Sequence, residues 1–68
     1  MIVLGVKYMA SDGSVTNHHH TYKDITTIWN WIENHFKEAK GKVMPTFDNP
    51  LEIEHDGDKV RFSVKEKV

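Results

Sequence analysis

The stretch Asn17-His18-His19-His20-Thr21-Tyr22 places three of the chain's five histidines side by side. Imidazole binds metals, and with an unperturbed pKa of about 6.5 it is the side chain that changes charge near neutral pH. In an extended strand alternate side chains point to opposite sides, so His18 and His20 share one face and His19 takes the other. Two imidazoles fall short of the three or four donors that zinc takes, so the rest would have to come from His35, His55 or a carboxylate. No His-Glu-x-x-His or comparable spacing supplies them. A metal or pH sensor centred on His18 and His20 is therefore carried as the alternative function, and no cofactor or metal is assigned.

Other chemistry is sparse. The chain has no cysteine, which removes thiolate nucleophiles, thiolate metal sites and a disulfide framework, and suits an intracellular, cytoplasmic setting. It offers neither a Ser-His-Asp pattern nor a phosphate-cradling glycine loop. Glu52 and Glu54 are paired carboxylates, but at two-residue spacing on a strand they face Arg61 and Lys59 and read as a solvated charge ladder. A domain this small is also expected to leave little room for a pocket of roughly 300 Å³. The expectation is a non-enzymatic protein.

The elements that must position these residues follow from periodicity. Ile2, Leu4, Val6 and Tyr8 alternate with Val3, Gly5, Lys7 and Met9, the mark of a strand with one apolar face. Asp12-Gly13 is a hairpin signal, and a second strand follows from Val15 to about Thr21. If Asp12-Gly13 is a two-residue turn, Val6 faces His19 and Lys7 faces His18. That register sends His18, His20 and Tyr22 to the outer face with Lys7 and Met9.

Residues 24–40 switch to helical period, with Ile25, Ile28, Trp29, Ile32, Phe36 and Ala39 on one stripe. Thr21 or Asp24 can cap the start, and Gly41 is expected just past the end. Trp31 lies about 100° from the centre of the stripe, with His35 one turn later. A half-exposed tryptophan either anchors a partner or folds over the rim of the core.

After the helix, residues 42–47 are expected as a short edge strand interrupted by Pro45, and Asp48-Asn49-Pro50 as a turn. In the last segment, a two-residue Asp56-Gly57 turn sets Ile53 opposite Val60 and Leu51 opposite Phe62. The same register sets Glu52 opposite Arg61 and Glu54 opposite Lys59. A slip of one residue would put both glutamates on the apolar side, so charge and hydrophobicity select one pairing.

This order predicts a two-layer α+β domain spanning residues 1–68: one helix on a small, mainly antiparallel sheet, ββαββ with an optional fifth strand. A β-grasp arrangement, with the first and last strands side by side in the centre, is similar in its order of elements. Charged residues at 28% and hydrophobic ones at 38% describe a globular chain, and the N-terminal segment does not read as a signal peptide. Nine basic against ten acidic residues give a net charge of -1, without the positive field of a duplex-binding protein.

The leading expectation is a small interaction module that binds another protein as an inhibitor or accessory subunit. Phage or mobile-element modulators of host machinery fit that description. Its partner-binding candidates form two surfaces: Trp31 and His35 on the helix flank, and Met9, His18, His20 and Tyr22 on the outer sheet face. A free edge strand could also pair with a second copy to give a homodimer. Binding of single-stranded nucleic acid through Tyr22, Lys7, His18 and His20 ranks third.

Overall fold

The structure is a computed structural model that describes residues 1–67. Among the described residues, β1 (Ile2–Met9) and β2 (Val15–Tyr22) form a hairpin, α1 (Ile25–His35) crosses over, and β3 (Leu51–His55) and β4 (Asp58–Lys67) form a second hairpin. The sheet order is β2-β1-β4-β3 with every pairing antiparallel, so the first and last strands meet in the centre as expected. β2 and β3 are the edges. No helix among the described residues is long and apolar enough to cross a membrane.

The core is the interface between one sheet face and the apolar stripe of α1 together with the segment that follows it. Ile28, Ile32, Phe36 and Ala39 are buried against Leu4, Val6, Leu51, Ile53, Val60 and Phe62. Ile2, Ile25, Trp29 and Trp31 pack half-buried at its margin. At roughly 1.5 to 3 kcal/mol per large aliphatic or aromatic side chain withdrawn from water, this layer is the main favourable term in folding.

The second hairpin has the expected register at every position, Leu51 with Phe62 and Ile53 with Val60 inside, Glu52 with Arg61 and Glu54 with Lys59 outside. Its turn is a two-residue one with positive φ at both Asp56 (51°) and Gly57 (84°), the type I′ geometry that matches strand twist. The charge ladder stays open: among the described residues, neither glutamate closes an ion pair with the basic residue opposite.

The first hairpin departs from expectation by one residue. The Ala10 amide donates to the Ser14 carbonyl (2.9 Å) and the Gly13 amide to the Ala10 carbonyl (3.0 Å), which closes a three-residue loop, Ser11-Asp12-Gly13. Asp12 holds it, accepting from the Ser14 hydroxyl (2.7 Å) and amide (2.8 Å), which keep its carboxyl below the ordinary range. Val6 therefore faces His18, Gly5 faces His19 and Lys7 faces Asn17. One extra loop residue exchanges the faces of β2.

Helix α1 starts as one of the two expected caps requires: Asp24 Oδ1 accepts from the amide and hydroxyl of Thr27, both at 2.9 Å. It ends at His35, five residues earlier than the periodicity implies. Phe36 is extended (φ -130°, ψ 97°), and the chain rewinds into a 3-10 turn at Lys37–Ala39. Packing overrides periodicity here, because Phe36 in this position reaches the rings of Phe62 (5.1 Å), His55 (4.9 Å) and Trp31 (5.9 Å). The expected strand at 42–47 does not form. Pro45 is buried instead, and a turn closes at Thr46–Asn49, where the Thr46 amide donates to the Asn49 carbonyl.

Candidate functional site

The shifted register has one large consequence. With β2 turned over, His18, His20 and Tyr22 lie on the helix side of the sheet rather than on the outer face, and there they meet Trp31. The His20 ring is 5.3 Å from Trp31, Tyr22 is 6.2 Å from it, and His35 stacks on it at 4.8 Å and 27°. His18 stacks on His20 at 6.4 Å and meets Tyr8 edge-on at 5.6 Å. Five of the six expected binding residues thus form one continuous ring-lined patch at the β2 edge. Met9 remains on the outer face, half-buried and apart from them.

Local structure explains the arrangement. Trp31 leaves α1 on the flank nearest β2 and is half-buried: it closes the rim of the core and still presents ring surface. His35 Nδ1 donates to the Trp31 carbonyl at 2.9 Å, which fixes the imidazole one turn along and keeps its ring parallel to the indole. His18 and His35 are exposed, His20 and Tyr22 half-buried, and partial burial pushes the Tyr22 hydroxyl above its ordinary pKa.

The outer face is correspondingly different. His19 is exposed there. Lys7 and the rings of His18, His20 and Tyr22 point to opposite sides, which separates the cation from the aromatics that a base-stacking surface would need together. His18 and His20 do share a face, but among the described residues no group of three His, Asp or Glu side chains converges to hold a metal ion.

A histidine that sequence reasoning left unassigned is tied down. His55 Nδ1 donates to both carboxylate oxygens of Glu38 (3.0 and 3.1 Å), and its Nε2 lies 3.3 Å from Asp56 Oδ2. The Glu38 hydrogen bond, with the charges of Asp56, Glu38 and Asp58, raises the His55 pKa against the opposing effect of burial. The contact pins the 3-10 turn to the second hairpin, 17 residues away in sequence. No periodicity could have signalled it.

The chain matches no protein-family model, no curated protein and no solved structure.

Proposed function

We propose that the protein is a non-enzymatic interaction module that binds another protein through the patch of Trp31, His35, His20, His18 and Tyr22. The observation that carries this reading is Trp31 at the edge of the sheet with His35 stacked on it and the His20 and Tyr22 rings packed beside it, an aromatic anchor assembled within the fold. Rigid aromatic rings bury large area with little loss of conformational freedom, and such residues dominate the energetics of protein interfaces. The β2 edge beside the patch has unpaired backbone groups and carries neither lysine nor proline, the residues that usually block strand addition. A strand of the partner, or of a second copy of this chain, could extend the sheet there.

A second reading shares the surface. Three of the five histidines lie in it, so protonation would place like charges around Trp31 and weaken an apolar partner's grip. Inhibitory or accessory action, of the kind mobile elements direct at host machinery, would follow from which partner is held.

Affinity capture from source-cell extract, followed by mass spectrometry, tests both. Wild type should retain a discrete partner that His20→Ala/His35→Ala loses while melting as a folded protein. An identical captured set from the wild type and the double variant would refute the patch. Retention by the wild type that falls on acidification from neutral pH selects the proton-responsive reading, and retention that does not change with pH refutes it.

A further inference from the structure

On the opposite face of the sheet, three unusual features meet at one point. Gly5 lies in the middle of a central strand, where glycine weakens the strand and often marks the close approach of another group. β4 carries a bulge, since Leu4 pairs with Val64 but Val3 with Glu66, and Lys65 is the extra residue. Bulges re-aim side chains, and this one lays Lys65 over Gly5 so closely that a Cβ on Gly5 would sit 2.7 Å from the lysine Cε. Finally, Lys7 faces Arg61 directly across the β1–β4 pair, an opposition of like charges that destabilises a sheet.

Together these residues surround an open hollow of about 470 Å³, with His19 and Ser63 on either side of Gly5. The size is within the usual range for small-molecule sites, larger than the length of the chain suggested. Among the described residues no carboxylate lines it. Glu52 faces Arg61 from β3, yet among the described residues none of Lys7, Arg61 and Lys65 has a carboxylate within 4 Å.

We infer that this hollow is a binding site for a multiply charged phosphate group carried by a small molecule. Three cations without a carboxylate partner among the described residues, one of them a guanidinium suited to bidentate phosphate contacts, line the hollow, and the absent side chain of Gly5 lets the Lys65 stem lie flat across its floor. The Ser63 hydroxyl adds a neutral donor. A base-stacking ligand is disfavoured, because among the described residues this face presents no phenylalanine, tyrosine or tryptophan.

The test is a titration of the full chain with inorganic pyrophosphate at constant ionic strength, followed through backbone amide shifts. Saturable shifts should centre on Gly5, Lys7, Arg61 and Ser63. Lys7→Gln or Arg61→Gln should weaken binding by about tenfold, the loss of one charge-assisted hydrogen bond. Lys59→Gln, on the same face but outside the hollow, should change it less than twofold, by about the few tenths of a kcal/mol typical of a remote exposed charge. Because Lys7 and Arg61 repel, neither variant should melt below the wild type. Non-saturating shifts, equal losses from Lys59→Gln and Lys7→Gln, or a lowered melting temperature in both hollow variants would overturn the site. A single-stranded oligonucleotide that binds more tightly than pyrophosphate, with shifts spreading beyond the hollow, would overturn the small-molecule assignment.

Discussion

His55 shows how one side chain can make the fold respond to pH. Its pKa is raised above the ordinary 6.5, mainly by the Glu38 hydrogen bond, so its stabilising contribution is complete below about 6.5 and is lost as pH rises through the raised value. Glu38 is lowered from 4.5 by its own backbone amide and by the His55 ring, and its contribution is lost as pH falls through that lowered value. The pair is therefore strongest in mildly acid solution. Thermal melts of wild type and His55→Gln should differ most between about pH 5 and 6 and converge toward pH 8, and a difference that does not change with pH would refute the linkage. Neither partner was legible as such beforehand, because Glu38 belongs to a turn that the amphipathic pattern presents as helix.

At the scale of elements, the two hairpins make a controlled comparison. Both contain Asp-Gly, yet only Asp56-Gly57 forms a two-residue turn; there, the flanking hydrophobic and charged residues allow a single register. In β2 the alternation is uninformative, since Val15–Tyr22 is polar on both faces, and the Asp12–Ser14 bonds decide the loop length instead. The second turn is correspondingly sensitive: Gly57→Ala forces a side chain into the left-handed region and should destabilise the protein by about 1 to 2 kcal/mol. Chemical denaturation measures it, and an unchanged midpoint would contradict the type I′ turn. The helix boundary failed for a related reason, as periodicity locates a stripe but cannot tell a continuous helix from a helix followed by a 3-10 turn.

For the whole molecule, one buried layer separates two surfaces of opposite character, an aromatic and histidine-rich patch beside α1 and a cationic hollow on the open sheet face. Such a small core leaves a net stability of roughly 3 to 5 kcal/mol. Ile32 is fully buried within it, and Ile32→Ala should remove about 2 to 5 kcal/mol, most or all of that margin. Far-ultraviolet circular dichroism at 25 °C should show a largely unfolded variant, and a cooperative melt near that of the wild type would show that the α1–sheet layer is not the source of stability.

The two-layer α+β architecture, the apolar face of β1, the start of α1 and the whole second hairpin follow from the amino-acid order alone, because each rests on a local alternation or cap that has one low-energy solution. The identities of the partner-binding candidates were legible too. Which of them share a surface was not. That depended on one residue of loop length in the first hairpin and on the exit of Phe36 from the helix, and both are set by contacts between segments distant in sequence or by turn hydrogen bonds that hydrophobic patterning does not encode.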